Sequence, residues 1–143
     1  MMAPLVVLLL APSPLDDRFV SFGANVGSHL LDGPAQLKVG WEISLVWTDL
    51  GREWQGIYAD VLLIPDRDFI QGSFGAEIGW AFLGLDAGPV GLLEGDRFSY
   101  GGRLRAIGTL GVGAAYAGFG VLGGRGGFGE IGLLIKIPIR LSR

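Results

Sequence analysis

The stretch that decides the fold is Phe128 to Leu141, FGEIGLLIKIPIRL. Its odd positions, Ile131, Leu133, Ile135, Ile137, Ile139 and Leu141, form an unbroken aliphatic row. Its even positions, Glu130, Gly132, Leu134, Lys136, Pro138 and Arg140, are mixed, small or charged. A side-chain period of two is that of a β-strand, whose successive residues point to opposite faces. Lys136 and Arg140 exclude a dry core on their side of that strand. Two environments then remain: lipid outside with a polar lumen inside, or a soluble barrel with an apolar interior and a wet exterior.

Working outward from this strand, the same period recurs along the chain. Arg18 to Val26 alternates Val20, Phe22, Ala24 and Val26 with Ser21, Gly23 and Asn25, and the connection SHLLDGPA follows. Leu37 to Thr48 sets Leu37, Val39, Trp41, Ile43, Leu45 and Trp47 against Lys38, Gly40, Glu42, Ser44, Val46 and Thr48. Further strands are read over Trp54 to Ile64, Phe69 to about Gly84, a short Val90 to Glu94, Ser99 to Val112 and Ala114 to Leu122. Asp86-Ala87-Gly88-Pro89 is read as a tight turn. With the final strand the number is eight. Every connection is short enough to join antiparallel neighbours in a meander, and an even set of such strands closes on itself without edges. No segment has a helical period.

The predicted fold class is therefore all-β, an eight-stranded antiparallel up-and-down transmembrane β-barrel spanning 16–143. Residues 1–15, with the apolar run Leu5 to Leu10 and then Ala11-Pro12-Ser13-Pro14, are read as a signal-peptide remnant or a disordered tail. That run is far short of the roughly 20 apolar residues a spanning helix needs.

Composition bounds the function. The 143 residues include 26 glycines, are 50% hydrophobic and only 17% charged, against about 25% charged in a soluble domain. A net charge of −3 without any basic cluster argues against nucleic acid as a partner. No cysteine and a single histidine, His29, argue against a thiolate or multi-histidine metal site. No cofactor is expected.

Lipid is favoured over water by where the polar residues fall. The faces opposite the aliphatic rows are rich in Gly, Ser and Ala, which suits a narrow lumen and makes a poor solvent face. Charges concentrate in the connections: Asp32, Asp49, Arg52, Glu53, Asp66, Arg67, Asp68, Asp86, Asp96, Arg97 and Arg125. On this reading Glu42, Glu77 and Glu130 point inward with Lys38, Arg103, Arg105 and Lys136, and must pair to survive desolvation. Trp41, Trp47, Trp80 and Tyr100, with Trp54, Tyr58 and Phe82, are read as aromatics at the membrane interfaces. Membrane lipid is thus the expected partner, and no motif identifies a protein partner.

In strand count, alternation, inward Glu, Lys and Arg, and aliphatic last strand, residues Arg18 to Leu141 resemble the small eight-stranded outer-membrane barrels of Gram-negative bacteria. These are the OmpA-type transmembrane domain and the OmpX-like proteins. The resemblance is architectural and implies a bacterial outer-membrane location. One departure is the C-terminus, Arg140-Leu141-Ser142-Arg143, where that family commonly ends its last strand on an aromatic residue.

Three motifs point elsewhere and are set aside. Gly118 to Gly123 matches G-x-G-x-x-G, yet a dinucleotide site needs a helix after it to hold the pyrophosphate. The G-x-x-x-G spacings at Gly23 to Gly27 and Gly75 to Gly79 have meaning only on a spanning helix. Ser28 and His29 near Asp32 are three polar residues in one connection, whereas a nucleophile needs its base converging in a pocket. No catalytic residue is assigned. The expected function is a structural or interaction barrel without catalysis. The alternatives are a lipocalin- or streptavidin-like soluble barrel holding a small apolar ligand, and a narrow transport barrel.

Overall fold

The computed structural model describes residues 17–31, 33–49 and 52–141. The expected export segment 1–15, together with Asp32, lies outside the described residues. Among the described residues there are eight strands: β1 (Asp17–Leu30), β2 (Gln36–Thr48), β3 (Glu53–Ile64), β4 (Phe69–Trp80), β5 (Leu83–Glu94), β6 (Arg97–Leu110), β7 (Gly113–Leu122) and β8 (Gly126–Leu141). A 3-10 turn, Pro65–Arg67, joins β3 to β4. Each strand pairs antiparallel with its neighbours in sequence, and β8 returns to β1, so the sheet is a closed barrel in the order β1 to β8.

The closing seam is continuous. It runs from Arg18 opposite Leu141 to Leu30 opposite Gly129, with Ala24 facing Ile135 midway. Because the strand number is even, β1 begins and β8 ends at the same rim, here called the terminal end. The turns 81–82 and 111–112 share that rim. The opposite, distal rim carries the connections 65–68, 95–96 and 123–125.

Parity sorts the side chains. Phe22, Trp41, Val61, Phe74, Leu85, Leu104, Phe119 and the β8 aliphatic row from Ile131 through Leu133 and Ile135 to Leu141 are exposed on the outside. The interior holds Asn25, Lys38, Glu42, Asp60, Gln71, Glu77, Asp86, Arg103, Arg105 and Glu130, all buried. Polarity is thus inverted relative to a water-soluble domain, in which the apolar side chains occupy the core.

Several boundaries differ from the sequence reading, among them those of β1, β5 and β6. β1 continues to Leu30, so Ser28 and His29 belong to a strand and not to a connection. β6 ends at Leu110, and Val112 lies in the turn after it. The largest difference is β5, a full twelve-residue strand containing Asp86-Ala87-Gly88-Pro89, while the chain reverses earlier, at Ala81-Phe82. Proline lacks the ladder N–H and ordinarily marks a turn or an edge. Here the β4–β5 register steps from Ser73 opposite Val90 to Ala76 opposite Ala87, and Pro89 and Gly88 fall in the unpaired interval. Gly75 and Gly88 let the two backbones pinch there: a Cβ on Gly88 would lie 2.0 Å from the Phe74 carbonyl oxygen, and one on Gly75 2.1 Å from that of Ala87.

Candidate functional site in the barrel interior

The interior is layered along the barrel axis. At the distal end Leu31, Ile64, Phe69, Val90, Leu92, Leu122 and Phe128 form a buried apolar plug. The Arg125 guanidinium lies over the Phe69 ring, 5.4 Å from its centroid, and pairs with Glu94. His29 is fully enclosed beside this plug and stacks on Phe128, with ring centroids 5.1 Å apart.

A charged layer fills the middle. Lys38 Nζ donates to Glu130 at 2.5 Å, and Arg103 meets Asp60 at 2.6 Å and Glu130 at 3.5 Å. Arg105 occupies the centre, with its guanidinium 2.9 Å from Glu42, 2.7 Å from Asp86 and 3.6 Å from Asp60. Lys136 spans Glu42 at 2.6 Å and Glu77 at 3.4 Å, and also donates to Ser44 Oγ at 3.1 Å. Two aromatic faces bracket the cations: Arg105 lies 5.0 Å from the ring centroids of both Tyr58 and Tyr116, and Arg103 5.5 Å from that of Tyr58. Such stacking favours arginine, whose flat guanidinium lies on a ring while its edge forks to carboxylates. Tyr116 OH donates to Asn25 Oδ1 at 2.7 Å, and it fits because Gly27 and Gly132 leave the space: a Cβ at either would come within 2.8 Å of that hydroxyl.

Lys38, Glu42, Glu77, Arg103, Arg105, Glu130 and Lys136 all point inward and share this one network. Asp60 and Asp86 also belong to it, beyond the residues that the sequence singles out. Asp86 stands in what reads locally as a turn. Asp60 has a usable signal, since on β3 it shares parity with Gly56 and lies on the face opposite the aliphatic Ile57, Val61 and Leu63.

Toward the terminal end the lumen opens into a vestibule of about 300 Å³. Its wall includes Phe19, Val46, Trp54, Ile107, Leu134 and Pro138, and Glu77 and Lys136 border it on the network side. Trp54 lies along the inner wall beneath β4 and β5, donating from Nε1 to the Ala81 carbonyl at 3.3 Å, and Gly79 and Gly84 lie against its ring.

The barrel is similar to Neisserial surface protein A. That solved structure (NspA), an eight-stranded outer-membrane barrel, superposes with a TM-score of 0.52 at 13% identity, covering 84% of this chain and 96% of NspA. At this identity the likeness to NspA extends to the fold and no further. No protein-family model matches the chain, and no curated protein matches it in sequence.

The aromatics expected at the interfaces divide. Trp80, at the terminal end, and Tyr100, near the distal end, are exposed on the outside, and Trp47 points outward at the terminal end. Trp41 is exposed too but sits mid-strand, stacked on Phe22 with centroids 5.4 Å apart. Trp54 and Tyr58 face the lumen, because even positions of β3 point inward. Ser28 and His29, as successive strand residues, point to opposite faces of the wall and do not converge. The G-x-G-x-x-G glycines run from β7 into the 123–125 turn and are followed by β8, not by a helix.

Proposed function

We propose that the chain is a bacterial outer-membrane β-barrel whose packed interior serves a structural or interaction role without chemistry. The observation that carries this reading is the inversion of polarity: Phe74, Trp80, Leu83 and the Ile131 to Ile139 row are more than half exposed, whereas Lys38 and Arg105 are fully buried. Water would leave that outer surface as one large apolar patch, far beyond the few hundred Å² a soluble monomer tolerates. Lipid removes the conflict. Strands of 10 to 16 residues also suffice for the 9–11 tilted residues that cross a hydrocarbon core. The likeness to NspA supports the same reading at the level of architecture.

An eight-stranded barrel has an interior just wide enough for side chains, and both the plug and the charged layer occupy it. Reconstituted in a planar bilayer, the protein is expected to show no sustained conductance. Extracted in detergent, it is expected to migrate faster unboiled than boiled on a denaturing gel. A monomer that stays soluble without detergent overturns the proposal.

A further inference from the structure

The vestibule at the terminal end has a chemistry that the structural reading does not use. Among the described residues of the charged layer there are five carboxylates, Glu42, Asp60, Glu77, Asp86 and Glu130. Four cations face them, Lys38, Arg103, Arg105 and Lys136. Four of the acids hold a cation within 2.7 Å. Glu77 is the exception, with one contact, to Lys136 at 3.4 Å, and that ammonium is held more closely by Glu42 at 2.6 Å. Glu77 is 2% exposed, its Oε1 accepts no hydrogen bond, and it lies on the border of the vestibule. Nearby Asp86 and Glu42 share Arg105, so this side of the layer carries three acids against two cations. The rest of the cavity wall is apolar, with Ser21, Thr48 and Thr109 supplying hydroxyls.

We propose that the vestibule binds a small amphipathic cation, an apolar body of aromatic or short-chain size carrying one ammonium group. The body fills the space between Phe19, Val46, Trp54, Ile107 and Leu134, and the ammonium replaces the long Lys136 contact at Glu77 while Lys136 keeps Glu42. Low-dielectric walls focus the field of the surplus carboxylate on this cavity, which sets the sign of the ligand. A few hundred Å³ and a small number of placed polar groups are what a small-molecule site needs. The site depends on the barrel geometry and not on the location of the protein.

The test compares three probes of equal shape, benzylammonium, benzyl alcohol and benzoate, titrated into the purified full-length barrel in detergent while amide NMR shifts are followed. Benzylammonium is expected to saturate and to bind at least tenfold more tightly than benzoate. Glu77→Gln is expected to weaken benzylammonium at least tenfold and to remove the preference. Val46→Trp narrows the cavity without touching a charge and is expected to block all three probes, which keeps the test decisive if Glu77→Gln does not fold. Absence of saturation, a preference for benzoate, unchanged binding in Glu77→Gln or retained binding in Val46→Trp each overturns the site.

Discussion

Arg105 touches three carboxylates and two tyrosine rings from one position at the barrel centre. Its value lies in what its loss leaves behind, since Glu42, Asp60 and Asp86 would remain together in a space that water reaches poorly. Arg105→Ala is therefore expected to cost about 3–5 kcal/mol, the usual penalty for breaking a buried pair from one side. Arg105→Lys keeps the charge but not the fork and should fall between the two. Asp66→Ala, in the exposed 65–68 connection, should leave the detergent unfolding midpoint nearly unchanged. Equal effects of the interior and connection substitutions on that midpoint would mean that the charges face open water. A second residue-scale expectation concerns Asp49, whose Oδ1 accepts from the Glu53 N–H at 3.0 Å and the Arg52 N–H at 3.1 Å. The Glu53 bond first, then that of Arg52, holds its carboxyl below the usual aspartate range. A depressed folded-state value stabilises the fold above about pH 4, the unfolded range, and that contribution disappears as pH falls through the folded value. The difference in unfolding midpoint between the natural chain and Asp49→Ala should thus be present at pH 7 and vanish in strong acid.

At the scale of single elements, β5 shows where sequence reading stops. The long alternating strands β2 and β8 are legible because each carries one face of large apolar residues, which fixes parity without help from neighbours. β5 reads LGLDAGPVGLLE, and its glycines at 84, 88 and 91 and its proline at 89 are local turn signals. They are overridden by tertiary contact: Gly84 yields to the Trp54 ring, where a Cβ would lie 2.3 Å away, and Gly88 to the β4 backbone. The same local signal hides Asp86 from the expected network, so a misplaced boundary becomes a missing site residue. Two substitutions separate these roles. Gly88→Ala meets immovable backbone at 2.0 Å and should sharply lower the unfolding midpoint, whereas Gly102→Ala, with nothing within 4 Å, should be near neutral. Gly84→Ala should be destabilising alone and partly rescued in combination with Trp54→Ala, a coupling that a double-mutant cycle measures.

For the whole molecule, the inside-out distribution of charge is readable from parity alone, because seven ionisable residues share faces with glycine and none falls in an aliphatic row. The distal plug is not readable. Ile64 and Phe69 meet across the local β3–β4 hairpin, but Leu31, Leu122 and Phe128 lie far away in sequence and join them only through closure of the sheet. Their removal is expected to matter for permeation: replacing Phe69 and Leu92 together with Ala should loosen the distal seal and raise leakage of small ions across a planar bilayer above the natural chain's baseline. The unbroken β1–β8 seam carries a different implication. Since Arg18 sits opposite Leu141, the sheet is a ring in which no strand is intrinsically first, and the order of synthesis is a convention that the native contacts do not record. A circular permutant that joins Leu141 to Asp17 by a short glycine-serine tether and is cut between Gly95 and Asp96 should rebuild the same cylinder. It would reach it by a different kinetic route, because pairing that now spans the whole chain would become a local hairpin.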